Sequence, residues 1–311
     1  MEGQGTTLRI GTRGSKLALW QSEWVKRRLE KACPGLKVDL VRIRTTGDKI
    51  LDAPLSNIGG KGLFVKEIEE ALFSRKIDLA VHSLKDVPVD LPPGLALCCY
   101  TEREEVRDAL ISRNGWTLHE LPEGAKVGTS SLRRAAQILH LRPGLKVVPL
   151  RGNVDTRLRK LDQGEFDAII LAGAGLKRLG LSHRVTHYLE PTEILPAIGQ
   201  GSLGIEVRGD DAKTIDMLSP LNHKLTEMAV RAERAFLRRL EGGCQVPIAA
   251  HASFHEGGLT LAGMVAELDG RNVVRGEVLG SGEEAEELGV RLAEELLARG
   301  ADNILRNIYG K

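Results

Sequence analysis

The sequence predicts a mixed α/β protein with two similar α/β lobes and a small α+β domain at the C-terminus. Three observations support this fold class. Strand-like and helix-like runs alternate through the N-terminal two thirds of the chain, as they do in α/β units. The series restarts near Lys126 with a similar order of elements. Beyond Pro220 the pattern changes to one long helix, three strand-like runs and a closing helix.

The first lobe opens with the strand-like run LRIGT and the helical pattern SKLALWQSEWVKRRLEKA, whose apolar residues share one broad face. A second strand-like run, LKVDLVRIRT, precedes GGKGLFVKEIEEALFSRK, which opens with glycine and continues as an amphipathic helix. The run IDLAVHSL predicts a third, buried strand. These elements make up the first α/β series.

The second series contains AKVGTSS, a helix through His140, LKVVPL, a helix from Asn153, and FDAIILAGA. Its start resembles the start of the first series: IGTRGSKLALWQ and VGTSSLRRAAQ both give a strand ending in Gly-Thr, then serine, then a helix. Two matches this short can arise by chance. They also fit two similar domains, each with a helix N-terminus at the same end of its sheet.

The C-terminal region reads as a compact α+β domain. LNHKLTEMAVRAERAFLRRLEGG predicts a long helix, and VPIAAHASF, LTLAGMVAEL and NVVRGEVLG predict strands. EEAEELGVRLAEELLARG closes the chain with helical spacing. Cys244 lies at the entrance to this domain, after two glycines and before Pro247, where the helical pattern ends. Either it is a passenger in a turn, or the chain presents a thiol to a ligand.

Composition excludes several classes of protein. The chain has 44 basic and 42 acidic residues, so its net charge of +2 creates no global attraction for nucleic acid or an anionic membrane. The N-terminal MEGQGTTLRIGTRGSK lacks the apolar core of a signal peptide, and no apolar run is long enough to span a bilayer. Only 4 cysteines occur, without a CxxC pair. We expect a cytoplasmic protein.

Positive charge is concentrated between Lys126 and Lys160, where 9 basic residues accompany a single acid, Asp155. Arg133 and Arg134 fall in the first turn of a predicted helix, where the helix dipole disfavours cations. Free N–H groups at helix N-termini, combined with arginine forks, bind carboxylates and phosphates. No aromatic residue lies in this span to stack bases. We therefore expect a small molecule with several carboxylates or phosphates as the ligand.

Two stretches of the first lobe are further candidates. Thr12, Arg13 and Ser15 form a similar strand-to-helix junction. Lys85 and Asp86 follow the buried third strand in VHSLKDVPVDLPPG. Asp and Pro are frequent in ordinary turns, whereas residues at the carboxyl end of an α/β strand line ligand crevices. Taken alone, the composition of this segment slightly favours the turn.

Eight stretches together resemble the porphobilinogen deaminase (hydroxymethylbilane synthase) family along essentially the whole chain: RIGTRGSKLALWQ, GGKGLFVKEIE, DLAVHSLKDVP, VGTSSLRRAAQ, LRGNVDTRL, AGLKRLGL, LPAIGQGSLGIE and EGGCQVPI. The resemblance implies two lobes like those of type II periplasmic binding proteins, with the active-site cleft between them. The first lobe would comprise residues 1–101 and 202–219, and the second residues 102–201. Residues 220–311 would form the C-terminal domain, with its cysteine on a loop aimed into the cleft.

The resemblance also implies a function. Cys244 would hold a dipyrromethane cofactor through a thioether, since the sulfur nucleophile captures the electrophilic methylene that porphobilinogen forms on losing ammonia. Four porphobilinogens are then joined head to tail on this primer, and hydrolysis releases hydroxymethylbilane. Such a chain is a transferase of tetrapyrrole (porphyrin and haem) biosynthesis. Its partners would be porphobilinogen and the growing pyrrole chain, with no nucleic acid, membrane or metal, and the family is typically monomeric.

The family's functional positions match individual residues here. Asp86 matches the catalytic aspartate, which would hydrogen-bond pyrrole N–H groups and stabilise the positive charge that develops as ammonia leaves. The positions that hold cofactor carboxylates match Lys85, Ser131, Arg133 and Arg134. The positions that line the substrate and growing chain match Arg13, Ser15, Lys61, Arg151, Arg157 and Arg178. Asn57 replaces a lysine of some relatives and Asp155 a glycine, and either departure would weaken chain binding.

Two other functions were weighed. A non-enzymatic two-lobed binding protein for polycarboxylate ligands would explain the arginines but leave Cys244 and the last domain without a role. A thiol hydrolase would need a histidine base beside the cysteine, and His251 is close to it in sequence only. The remaining cysteines are expected to be bystanders: Cys33, Cys98 and Cys99.

Overall fold

The computed structural model describes residues 7–49, 65–241 and 246–310. The chain forms two compact units, each made of two stretches of sequence. The first unit comprises Met1–Arg103 and Ser202–Glu227, and the second comprises Glu104–Gly201 and Met228–Lys311. In the described part of the chain, no helix combines the length and the apolar character needed to cross a membrane.

The first unit is built on a five-stranded sheet in the order β2-β1-β3-β10-β4. Strands β1, β2 and β3 run parallel, and β10 inserts antiparallel between β3 and β4. The run SLGIEV thus returns to the first sheet, as the family resemblance implied for this part of the chain. The strands are β1 (Thr7–Thr12), β2 (Lys37–Arg42), β3 (Leu79–Ser83), β4 (Leu95–Tyr100) and β10 (Leu203–Arg208). The helices are α1 (Lys16–Ala32), α2 (Thr46–Lys49), α3 (Lys66–Phe73) and α7 (Ala212–Leu218).

The second unit contains a sheet of the same plan, in the order β7-β6-β8-β5-β9. Its first three strands are again parallel in the order second, first, third, and an antiparallel strand, β5, again separates the third from the last. This common topology confirms the two similar lobes predicted from the sequence echo. The strands are β5 (Asp108–Ser112), β6 (Lys126–Gly128), β7 (Lys146–Val148), β8 (Ala168–Ala172) and β9 (His187–Leu189). The helices are α4 (Leu132–Leu141), α5 (Val154–Asp162) and α6 (Gly173–Arg178).

The C-terminal stretch adds a three-stranded antiparallel sheet to the second unit, in the order β11-β12-β13. These strands correspond to the three predicted runs: β11 (Ile248–His255), β12 (Gly258–Ala266) and β13 (Val273–Gly280). The helices of this stretch are α8 (Lys224–Arg239), which begins in the first unit, α9 (Ala285–Leu296) and α10 (Asp302–Tyr309). The sequence predicted no helix after α9, but the chain turns at Gly300, whose φ of 103° suits glycine, and α10 follows.

The C-terminal sheet packs on the second lobe within this unit. Ala136 and Leu195 of the lobe share a buried cluster with Ala249, Met264 and Ala266 of the sheet. Polar contacts support it: Arg275 donates to the carbonyls of Pro191 and Thr192 at 2.9 and 2.8 Å. The mixed α/β class with a C-terminal α+β region is confirmed. The division into three domains at the predicted boundaries stays a prediction.

Candidate active site

In the first unit, β3 ends in a tight turn that carries Lys85 and Asp86. Leu84 begins this 3-10 turn, and its N–H donates to the carbonyl of Ser202 at 3.1 Å. The Leu84 side chain is buried above Gly204, where an added Cβ would lie 2.7 Å from Leu84 Cδ1. The turn is therefore anchored to the sheet, while Asp86 is exposed and Lys85 is half-buried.

A helix N-terminus lies at the same edge of this sheet, because β1 and β3 are adjacent and parallel. Ser15 caps α1 by accepting a hydrogen bond from the N–H of Ala18 at 3.2 Å. The buried Thr12 hydroxyl donates to the carbonyl of Ala18 at 3.2 Å, and Arg13 is half-buried between the two. The structure thus gives Ser15 a capping role and places Arg13 at the edge where Asp86 emerges.

Gln21 is a buried residue beside the candidate site that the sequence analysis missed. Its side chain is only 3% exposed, and its Nε2 donates to Ser83 Oγ at 2.8 Å, which ties α1 to the last residue of β3. Ser83 directly precedes the turn that carries Asp86. A glutamine among the buried positions of α1, which also include Ser22, Val25 and Leu29, needs a hydrogen-bond partner, and Ser83 supplies it.

In the second unit, the corresponding helix α4 begins at a similar cap. Ser131 Oγ accepts from the N–H of Arg134 at 3.4 Å, and the Ser131 N–H donates to Thr129 Oγ1 at 3.1 Å. The strand-to-helix junction thus repeats the geometry of the first lobe. Ser131, like Ser15, has a structural function in addition to any contact with a ligand.

Arg133 and Arg134 form a buried cluster with Asp108, which the sequence analysis also missed. Both arginines are 6% exposed and Asp108 is 0% exposed. Arg133 Nη2 lies 2.7 Å from Asp108 Oδ2, and Arg134 Nη2 lies 2.6 Å from Asp108 Oδ1. Burial lowers the pKa of Arg133, and the charge of Asp108 opposes that shift. Two guanidinium groups and one carboxylate leave this cluster with a net charge of +1.

The other donors of the two arginines differ. Arg133 Nη1 donates to the carbonyl of Leu195 at 2.6 Å, and Arg134 Nη1 donates to the carbonyl of Ile170 at 3.2 Å. Arg134 Nε is buried and has no hydrogen-bond partner among the described residues. Gln200 Nε2 adds a further donor to Asp108 Oδ1 at 3.0 Å.

Arg151 and Arg157 flank a second helix N-terminus of this unit. Asn153 caps α5 by accepting from the N–H of Thr156 at 3.2 Å. Arg157 Nε donates to the carbonyl of Gly152 at 2.7 Å, which fixes part of its guanidinium on the backbone. Arg151 is half-buried, and within the described ranges no hydrogen bond or ion pair engages its side chain.

Arg178 lies at the end of α6, where its Nη2 donates to the carbonyl of Gly201 at 2.6 Å. Burial lowers the pKa of Arg178 to about 10, against the charge of Glu104. It remains protonated near neutral pH. Asp155 is exposed in the first turn of α5.

Several predicted residues lie outside the described ranges: Lys61, Asn57 and Cys244. The other cysteines can be judged: burial raises the pKa of Cys98 and of Cys99 to about 12, so neither thiol is a ready nucleophile. His251 Nδ1 lies 3.7 Å from Glu233 Oε1, a contact that suits a structural histidine.

The donor set fits a ligand rich in carboxylates. The second unit holds five candidate arginines: Arg133, Arg134, Arg151, Arg157 and Arg178. One of them, Arg134, has a buried N–H with no acceptor among the described residues. An unsatisfied cationic donor at such a position matches a carboxylate oxygen. The fold and the donor set define the class as a two-lobed α/β protein whose second lobe has donors suited to a polycarboxylate.

Comparison with protein families narrows this class. The model for "porphobilinogen deaminase, dipyromethane cofactor binding domain" matches residues 8–216, and the model for "porphobilinogen deaminase, C-terminal domain" matches residues 228–298. The chain belongs to the porphobilinogen deaminase family. Its activity is that of a hydroxymethylbilane synthase, a transferase of tetrapyrrole biosynthesis that works on a dipyrromethane cofactor.

Curated relatives agree over nearly the full length. The chain is 59% identical to the porphobilinogen deaminase of Syntrophotalea carbinolica over 300 residues, which cover 96% of this chain and 95% of the relative. It is 58% identical to that of Geobacter sulfurreducens over 302 residues, which cover 97% of this chain and 95% of the relative.

Solved structures with a similar fold include binding proteins. One is a periplasmic binding protein of Salmonella typhimurium with high arginine specificity, at 14% identity and a TM-score of 0.41 over 71% of this chain and 94% of that one. Another is the aliphatic sulphonate binding protein of Escherichia coli, at 18% identity and a TM-score of 0.40 over 76% of this chain and 70% of that one. Identities and TM-scores this low say nothing about ligand or activity.

Proposed function

We propose that Asp86 is the catalytic residue of the condensation. Its carboxylate accepts hydrogen bonds from pyrrole N–H groups and stabilises the positive charge that develops on the pyrrole as ammonia leaves. The observation that carries this proposal is the position of Asp86: it is exposed on an anchored turn at the carboxyl end of β3, beside the half-buried Lys85.

A Coulomb estimate gives the scale of this effect. A carboxylate about 4 Å from a unit positive charge contributes about 4 kcal/mol at an effective dielectric near 20. That is roughly a thousandfold in rate. Because Asp86 is exposed, this value applies once substrate covers the turn and excludes water from the carboxylate.

The candidate binding residues divide into two groups, one for the cofactor and one for the substrate and growing chain. Lys85, Ser131, Arg133 and Arg134 form the group that holds the carboxylates of the cofactor, either by direct contact or by fixing a neighbour that makes the contact. Arg13, Ser15, Lys61, Arg151, Arg157 and Arg178 line the substrate and the growing chain. Each pyrrole unit brings two carboxylates, so the growing product needs several cationic donors. The half-buried Arg151, whose side chain has no partner among the residues that the structure describes, offers its guanidinium for one of them.

Cys244 is the anchor of the dipyrromethane through a thioether, and the cofactor supplies the pyrrole carbon to which the first substrate is joined. The inert surroundings of Cys98 and Cys99 support this choice, because burial keeps both thiols protonated. We further propose a cytoplasmic monomer with three domains at residues 1–101 with 202–219, 102–201 and 220–311. Family membership removes the support for a purely ligand-binding protein.

The test is the intact mass of the purified chain beside its Cys244→Ser variant. We expect the unsubstituted chain to exceed the mass of its sequence by two porphobilinogen units, each less one ammonia. The Cys244→Ser variant should have the mass of its sequence, whereas the control Cys98→Ser should keep the excess. An excess that survives Cys244→Ser would place the anchor elsewhere, and no excess in the unsubstituted chain would refute the anchored cofactor.

A further inference from the structure

We propose that Asp108 is a positioning residue that neutralises one of the two buried arginines, so that a ligand carboxylate serves as the counter-ion of the other, Arg134. In this arrangement Arg133 belongs to the scaffold and does not contact the ligand. The inference rests on the proposed function in one respect: the ligand carboxylate is taken to be that of the cofactor.

The buried cluster has more positive than negative charge. Asp108 is fully buried and gives one carboxylate oxygen to each arginine, at 2.7 and 2.6 Å. A buried charge without a counter-charge is costly, whereas a paired one is tolerated. The three side chains of this cluster sum to one positive charge, and one further carboxylate would bring Arg133, Arg134 and Asp108 to neutrality.

The hydrogen bonds of the two guanidinium groups distinguish Arg133 from Arg134. Arg133 donates to Asp108 and to the Leu195 carbonyl, and the latter also accepts from Gln137 Nε2 at 3.1 Å. Arg133 is therefore held on the loop that contains Leu195. Arg134 donates to Asp108 and Ile170, but its Nε is buried without an acceptor. Of these two arginines, Arg134 is the one with a buried donor that has no acceptor in the described part of the chain, and a ligand oxygen would satisfy it.

The Asp108 side chain is held in place by its surroundings. Gln200 Nε2 donates both to Asp108 Oδ1 at 3.0 Å and to the Val106 carbonyl at 2.7 Å. Asp108 is also the first residue of β5, which pairs with β8 on one side and with β9 on the other. The carboxylate is thus fixed by the sheet and by Gln200, so it can orient both guanidinium groups.

The experiment uses two paired variants of the full chain. Asp108→Asn leaves two buried positive charges without a counter-ion. Adding Arg133→Met restores the net charge of +1 and keeps Arg134, whereas adding Arg134→Met restores the same charge and keeps Arg133. Cofactor loading is read from the intact mass, and the thermal unfolding midpoint is measured in the Cys244→Ser background, where the thioether cannot form.

We expect the loaded fraction of Asp108→Asn to fall at least about tenfold. The double variant with Arg133→Met should regain most of the loading, and the double variant with Arg134→Met should stay unloaded. In the Cys244→Ser background, both double variants should unfold at a higher temperature than Asp108→Asn alone. Arg142→Met is the control. Arg142 lies at the far end of α4 and donates to the carbonyls of Leu118 and Leu121. Its replacement should therefore lower the thermal unfolding midpoint without loss of cofactor loading.

Equal loading of the two double variants would overturn the division between Arg133 and Arg134. Full loading of Asp108→Asn would overturn the role of Asp108. If Asp108→Asn alone fails to fold, the two double variants still decide between the arginines. A missing cofactor mass in the unsubstituted chain would instead refute the proposed function, and the unfolding midpoints would then still test the charge balance at Asp108.

Discussion

The two lobes share one plan at their first strand-to-helix junction but arrange their charges differently. Ser15 and Ser131 cap α1 and α4, and a buried glutamine follows six residues later in both helices, Gln21 and Gln137. In the first lobe the third residue after the cap is Ala18, while in the second lobe it is Arg134. The same backbone thus presents an alanine at this position in one lobe and a buried arginine in the other.

This difference separates two tasks. The first lobe carries Lys85 and Asp86 on the turn after β3, where Asp86 is exposed to meet a substrate. The second lobe buries its arginines around Asp108 and retains a net positive charge. We infer that the first lobe supplies the reactive carboxylate and that the second supplies counter-charge for the carboxylates of the bound pyrroles. The predictions below test this separation.

The largest effect is expected at Asp86. Asp86→Asn should lose about three orders of magnitude in turnover with porphobilinogen, by the Coulomb estimate above, because the amide cannot stabilise the developing positive charge. Its intact mass should still show the cofactor. Asp90→Asn, in the same segment and also exposed, should stay within about twofold of the unsubstituted chain. Near-normal turnover of Asp86→Asn would reject the catalytic assignment.

The next effect concerns elongation on the second lobe. Arg151→Leu should leave priming intact but stall chain growth, because it removes a half-buried guanidinium that the growing polycarboxylate needs. Enzyme–substrate intermediates, separated by ion exchange and identified by mass, should accumulate in shortened form. The matched change Arg159→Leu, at an exposed position of α5, should give the usual ladder. An unchanged ladder for Arg151→Leu would count against the assignment.

Much of the fold could be predicted from the sequence because its signals are local. A strand followed by an amphipathic helix, such as LRIGT and the helix after it, can be recognised from the hydrophobic pattern of about twenty residues. The sequence patterns did not predict strands β4, β5 and β9. These strands form antiparallel pairs, β4 and β9 at a sheet edge, and their pairing partners are far away in sequence. For the same reason Asp108, at the start of β5, was missed as the counter-ion of arginines 25 and 26 residues away.

The candidate arginines could be found from the sequence because charge segregation is visible in a linear chain. Their environments could not. The sequence does not show that Arg133 and Arg134 are buried on one carboxylate, or that Arg157 is held on the carbonyl of Gly152. Those facts depend on which backbone groups the fold brings near each guanidinium.

A smaller effect should separate the two buried glutamines. Gln21→Ala removes the hydrogen bond that ties α1 to Ser83, so the turn carrying Asp86 becomes less well fixed. A hydrogen bond of about 1 kcal/mol corresponds to roughly a fivefold loss, which we expect in kcat with cofactor loading unchanged.

Gln137→Ala serves as the counterpart, because Gln137 holds the backbone of Leu195 beside Arg133. It should reduce cofactor loading and leave the kcat of the loaded fraction within about twofold. Steady-state kinetics normalised to the adduct fraction, measured by mass, would distinguish the two variants. The same response from both glutamines would remove the separation of tasks between the lobes.

The smallest effect is expected at the two cysteines of β4, which serve the first lobe only by packing. Burial raises the pKa of Cys98 and Cys99 to about 12 from an ordinary value of 9.0. At a pH between these two pKa values, the thiols are ionised in the unfolded chain but protonated in the folded one. Unfolding then releases protons, so the stability of the fold decreases as the pH rises above 9.0. Below that pH they make no pH-dependent contribution.

Replacing both by alanine should therefore keep turnover and cofactor loading within about twofold and flatten the decline of the unfolding midpoint between roughly pH 9 and 11. Other groups that titrate in this range are common to both chains, so the difference between the two pH profiles isolates the thiols. Rapid alkylation of Cys98 or Cys99 by iodoacetamide in the folded chain, or loss of the cofactor from the alanine variant, would contradict the view that the reactive sulfur lies elsewhere. The first lobe would then carry a nucleophile of its own, and its contribution could no longer be reduced to the carboxylate of Asp86.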